Sequence, residues 1–94
     1  MSQFVAEAYS YENITSSTNV QKVACALGGI FVASASATPT IAVYDSATTT
    51  TTTVVVNTFT PLAGTYYPMP FMLTNGCYVV ISGTVDCTVG TKAA

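Results

Sequence analysis

No stretch of this 94-residue chain repeats apolar side chains at the i, i+3, i+4, i+7 spacing of a helix with one buried face and one charged face. Thr, Val, Tyr, Phe and Ile are abundant, whereas Glu, Lys, Gln, Arg and Leu are few. β-Branched and aromatic side chains suit a pleated, half-buried surface, and they lose rotamer freedom in a helix. The chain is therefore expected to be all-β.

Strand candidates follow one another at short intervals. Residues 20–26 form the first, and Gly28-Gly29 marks a bulge or bend before residues 30–36. Residues 37–40 (ATPT) read as a turn, after which TIAVYD alternates, with Ile41 and Val43 on one face. Residues 54–60 form a further strand ended by Pro61. Residues 65–73 (TYYPMPFML) are extended, but Pro68 and Pro70 cannot donate ladder hydrogen bonds, which assigns them to an edge or a polyproline-like connection. Asn75-Gly76 is a turn signal, and residues 77–82 and 84–89 read as a hairpin around Ser82-Gly83. In the last of these strands Val85, Cys87 and Val89 point inward. About seven to eight short strands in a single domain spanning 1–94 imply an antiparallel two-sheet β-sandwich, jelly-roll-like in arrangement. Residues 1–19 form either an N-terminal arm or an edge strand.

Charge is scarce. Glu7, Glu12, Lys22, Asp45, Asp86 and Lys92 make up 6% of the chain, against roughly 25% in an average soluble domain. Hydrophilicity rests instead on 17 Thr and 8 Ser. A small monomer ordinarily covers itself with mixed charge, so much of this surface is expected to be covered by partners. Two lysines and no arginine argue against nucleic acid as a partner, since phosphate neutralisation needs clustered cations. The longest near-apolar run, residues 23–37, is shorter than the roughly 20 residues of a spanning helix and is diluted by Gly and Ser, so no membrane partner is expected. The N-terminus lacks a signal peptide's basic start and apolar segment, so synthesis is expected in the host cytoplasm.

The chemistry of catalysis is largely missing. With no His, Ser-His-Asp and Cys-His arrangements are excluded within the chain. Asp45 at the start of a turn and Asp86 on the polar face of a strand have ordinary structural explanations. No enzyme activity, metal or cofactor is expected. Cys25, Cys77 and Cys87 are odd in number with no CxxC spacing, and read as buried thiols. A Cys77–Cys87 disulfide stays open, because it depends on the length of the turn between them. Asn13-Ile14-Thr15 matches a glycosylation sequon by chance in a chain without a secretion signal.

The aromatic segments carry the interface expectation. Tyr66, Tyr67, Met69 and Phe71 lie in the proline-stiffened segment, with Tyr67, Met69 and Phe71 on one side and Tyr66 on the other. Phe4, Tyr9 and Tyr11 lie near the N-terminus. Tyr and Met favour interface cores, and stiff extended segments lose little entropy on docking.

The succession GGIFVASASATPTIAVYDSA, VVVNTFTP, TYYPMPF and TNGCYVVISGTVDCTV resembles a group of small virion proteins of tailed bacteriophages, with residues 75–89 the most distinctive part. The likeness covers residues 24–89, and AYSYENIT is similar to that group's opening. It implies a compact β-sandwich, typically a homotrimer, on the capsid exterior as a decoration or cement protein that binds the phage major capsid protein and stabilises the head. Some relatives resemble head-fibre or tail components, which implies an alternative adhesin module binding host surface carbohydrate. This chain departs from the pattern at Cys77, in its polar TKAA end and in the six threonines of SATTTTTTVVV. That tract is expected to turn at residues 45–48, with its later threonines entering the strand that residues 54–56 complete.

Overall fold

A computed structural model describes residues 9–94; Phe4 and the rest of residues 1–8 lie outside the described residues. Six strands, β1 (Ser10–Ile14), β2 (Thr18–Gln21), β3 (Cys25–Tyr44), β4 (Val54–Phe59), β5 (Thr65–Leu73) and β6 (Cys77–Ala93), form one antiparallel sheet. Of the 1–19 segment, residues 10–14 and 18–19 lie in edge strands. β3 and β6 run side by side as the spine. Along the outer edge of β6, β2 pairs with its first part and β1 with its second. Along the outer edge of β3, β5 pairs with residues 25–32 and β4 with residues 41–44. Pro68 and Pro70 accordingly sit in an edge strand, and the register shifts between Leu27 and Gly29 place a bulge at the glycine pair.

The seven to eight short strands expected from the turn residues are instead six, two of them long. No hairpin forms around Ser82-Gly83, which lies inside β6, and the ATPT segment lies inside β3 rather than between strands. These two features face each other. Ser36 pairs with Thr84 and Thr40 with Ser82, which leaves residues 37–39 opposite Gly83 alone. Ala37 and Thr38 adopt φ of 57° and 55°, and Gly83 adopts 80°. Such a bulge bends both strands without ending either, because each regains its partner immediately beyond.

The bend is large. A straight 20-residue strand would run about 63 Å, yet the longest dimension of the molecule is 43 Å. Gln21 pairs with Cys77 near the start of β6, while its side-chain amide donates to the Thr91 hydroxyl near the end of β6, at 3.2 Å. The sheet therefore curls enough to bring both ends of β6 within reach of Gln21. Its core is made by Cys25, Leu27, Ile30, Val32, Ile41 and Val43 of β3, with Val79, Val85, Cys87 and Val89 of β6. The alternation read in the last strand holds: Val85, Cys87 and Val89 are buried.

All three cysteines are free and buried. Cys77 and Cys87 belong to one continuous strand, so the short turn that could have paired them is absent. Burial pushes the Cys77 thiol up to about 12, with Cys25 and Asp45 adding to it. Burial and then Asp86 push Cys87 up to about 11, and burial and then Asp45 raise Cys25. In the unfolded chain these thiols ionise near 9, so above that pH the unfolded state binds fewer protons than the folded one. Stability should then fall as pH rises from 9 towards 12. Thermal unfolding followed by circular dichroism should give a midpoint that drops steadily across this window; a flat profile would contradict the burial of the thiols.

The threonine tract does not enter a strand. β4 begins at Val54, paired with Tyr44, and the six threonines form the loop before it. The Asp45 amide donates to the Thr53 carbonyl at 2.9 Å and closes that loop. Inside it the Ser46 hydroxyl accepts the amides of Thr48 at 3.0 Å and Thr50 at 3.2 Å. β-Propensity loses here because Asp45 turns away to bind another segment, leaving no strand for the threonines to pair with.

Candidate interaction surfaces

Asp45, just past the end of β3, ties that end to the turn between β5 and β6. Its Oδ2 accepts the Thr74 amide at 3.1 Å and the Thr74 hydroxyl at 2.9 Å, and its Oδ1 accepts the amides of Asn75 at 2.8 Å and Gly76 at 3.3 Å. These bonds hold the β5–β6 turn at the end of β3. Burial works to raise the Asp45 pKa, but the amides of Asn75, Thr74 and Gly76 together outweigh it and the carboxyl is lowered. Because the folded value is depressed, the stability Asp45 contributes is present above the unfolded value of 3.8 and lost as pH falls through the folded one. Asp45→Asn should cost about 1–2 kcal/mol at neutral pH and should flatten the loss of stability in acid. Urea unfolding at pH 7 and pH 3 tests both: equal losses for the two proteins at pH 3 would remove Asp45 from this role.

Two apolar surfaces flank the spine. The first is the outer face of β1, β5 and the adjoining parts of β6 and β3. Cross-strand partners share a face, and Tyr11 lies opposite Gly90, Phe31 opposite Tyr66 and Thr88, and Ala26 opposite Met72 and Lys92. The Tyr9 ring lies over Gly28, where an added Cβ would sit 3.0 Å from it. From the other side the Tyr66 hydroxyl donates to the Gly28 carbonyl at 3.1 Å. The missing side chains of the glycine bulge thus leave a floor between two tyrosines. Tyr11 is 80% exposed, Met72 67% and Tyr66 55%, and among the described residues the charges on this face are Lys92 at one end and Asp86 at the other. Asn13 donates to Asp86 at 2.8 Å and closes the polar end.

The second surface is a groove of about 460 Å³ between β4 and β5, lined chiefly by Val55, Val56, Phe59, Tyr67, Met69 and Phe71. Phe59 and Tyr67 span it with ring centroids 5.0 Å apart, tilted by 59°. Tyr67 also accepts the Leu62 amide at 2.9 Å, which fixes its ring. Among the described residues no charged side chain lines the groove.

The structure thus divides the expected interface residues between two surfaces. Tyr9, Tyr11 and Tyr66 share the outer face; Tyr67, Met69 and Phe71 share the groove. Met69 is buried at its base, and Phe4 lies outside the described residues. Met72 of the proline-stiffened segment joins the face, whereas Phe31 on the face, and Val55, Val56 and Phe59 in the groove, escaped sequence reasoning. For Phe31 a signal existed: the bulge at Gly28-Gly29 shifts the alternation and sends Phe31 outward between buried Ile30 and Val32. For the groove none existed, because the meeting of β4 and β5 along β3 is set by pairing far apart in the chain. Among the described residues no group of three or more His, Cys, Asp or Glu comes together, and no helix is long and apolar enough to cross a membrane. Compared with known protein families, curated proteins and solved structures, the chain matches none.

Proposed function

We propose that this chain is a structural virion protein of a tailed bacteriophage, a homotrimeric decoration or cement protein on the capsid exterior that stabilises the head by binding the major capsid protein. On this reading the folded sheet is the two-layer, jelly-roll-like sandwich of such proteins. The observation that carries the proposal is the outer face: Tyr9, Tyr11, Phe31, Tyr66 and Met72 stand exposed on one side of a chain with six charges in all. A contiguous aromatic surface of this kind is uncommon on a free monomer and suits burial against other protein. Repetition by symmetry lets individually weak contacts stabilise a shell.

Sedimentation of the purified protein and its binding to head shells lacking it test the proposal. A trimer that saturates the shells is expected, and Tyr11→Ser with Tyr66→Ser should weaken shell binding about tenfold or more. A monomer that leaves the shells unbound would refute it. A second reading, a head-fibre or tail adhesin module binding host carbohydrate, draws on the glycine floor between Tyr9 and Tyr66, since flat aromatic platforms suit stacking on sugar rings. Glycan binding lost with Tyr66→Ser, in a protein that ignores shells, would favour it.

A further inference from the structure

We propose that Asn75-Gly76 is a site of spontaneous deamidation, and that Asp45 keeps it closed by holding the Gly76 amide away from the Asn75 side chain. This is the one Asn-Gly pair in the chain. An asparagine side chain is attacked by the amide nitrogen of the residue that follows, and glycine, lacking a Cβ, leaves that nitrogen unshielded. Asn75 is exposed in the turn between β5 and β6, where water reaches it. The Gly76 nitrogen gives its proton to hydroxide and bonds to the Asn75 Cγ. The side-chain nitrogen takes a proton from water and leaves as ammonia. A further water molecule opens the cyclic imide at either carbonyl, so the net change consumes one water and releases one ammonia. The product carries aspartate or isoaspartate at position 75.

The fold shuts this route. Asp45 Oδ1 accepts the Asn75 amide at 2.8 Å and the Gly76 amide at 3.3 Å, so the attacking nitrogen is turned towards a carboxylate. An anion in that position also opposes loss of the Gly76 proton, which would set a second negative charge beside it. From the other side the Ser46 amide donates to the Gly76 carbonyl at 3.3 Å. An added Cβ at Gly76 would sit 2.5 Å from the carbonyl oxygens of both Gln21 and Ser46, so the backbone there is wedged. The Asn75-Gly76 peptide must leave this latch before it can turn towards the Asn75 side chain, and reaction waits on local opening. The change does not reverse. Imide opening at the main-chain carbonyl adds a methylene to the backbone beside the wedge, and either product sets a second carboxylate next to Asp45. Conversion therefore leaves the latch open and frees the β5–β6 turn from the end of β3.

Incubation at neutral pH followed by peptide mapping in a mass spectrometer tests this. Asn57, exposed but followed by the β-branched Thr58, serves as internal reference. The folded wild-type chain should convert at position 75 roughly tenfold or more slowly than a free peptide of residues 72–79, because only the opened latch reacts. Asp45→Asn, shown by circular dichroism to be folded, should speed conversion about tenfold through the lost charged hydrogen bonds. Gly64→Ala separates the latch from general instability: it strains the turn before β5, at that strand's far end, and leaves Asp45 untouched. It should convert at the wild-type rate. Equal rates in wild-type protein and peptide would overturn the inference, and that comparison needs no variant. So would an Asp45→Asn chain no faster than wild type, or equal acceleration in Asp45→Asn and Gly64→Ala, which would make global unfolding the route.

Discussion

Gly83→Ala is expected to remove a large share of the protein's stability. Gly83 adopts φ of 80°, a region that costs an alanine about 1–2 kcal/mol. The added methyl would also sit 2.6 Å from the carbonyl oxygens of Ala37 and Thr38, both backbone atoms locked in the facing bulge. Neither strand can retreat without losing the pairing of Ser36 with Thr84 or of Thr40 with Ser82. Strain and collision together should cost about 3–5 kcal/mol, a large share of the 5–15 kcal/mol typical of a small domain. The thermal midpoint should drop by roughly 15–30 °C. Gly64 supplies the control: its φ is 76°, but a methyl there would meet nothing within 4 Å. Gly64→Ala should therefore cost strain alone. Equal midpoints for the two variants would mean that β3 and β6 do not press together at this bend.

Leu27→Ala is the second large effect. Leu27 is fully buried and paired between Phe71 of β5 and Thr91 of β6. Paired strands flank it on both sides, so the backbone around it cannot readily collapse into a void. Removing its side chain should cost about 2–5 kcal/mol from lost burial and the cavity left behind. Phe71→Ala, one strand away, should behave differently, because Phe71 is 44% exposed at the rim of the groove. Its loss should change stability little. Urea unfolding followed by circular dichroism separates the two, and a Phe71→Ala variant as unstable as Leu27→Ala would show the groove to be core rather than surface.

These two sites mark where local reading succeeds and where it stops. The inward residues Val85, Cys87 and Val89 were legible because a period-2 pattern depends only on the strand that carries it. The edge position of β5 was legible for a similar reason, since Pro68 and Pro70 announce their missing donors wherever they stand. Tyr66 and Tyr67 separate to opposite surfaces by the same alternation. Ser82-Gly83 is different: a glycine with positive φ serves a hairpin turn and a bulge equally well. Which one forms depends on residues 37–39, more than forty positions away, supplying the facing insertion.

The threonine tract failed for another reason. Six β-branched residues favour a strand, but a strand needs a partner, and Asp45 had already been drawn to the amides of Thr74, Asn75 and Gly76. The candidate surfaces divide in the same way. That aromatic residues would be exposed could be argued from the scarcity of charge, yet Phe31 joins Tyr66 only through the shift at the glycine bulge, and Val55, Val56 and Phe59 meet Tyr67 only because β4 and β5 share one edge of β3. The sequence by itself determined the all-β class, the alternation within strands and the absence of histidine, all of which follow from residue type and short-range spacing. Tertiary structure alone decided that two long strands bend rather than break, and which aromatic residues share a surface, because pairing between distant segments chooses among conformations that local chemistry leaves nearly equal in energy.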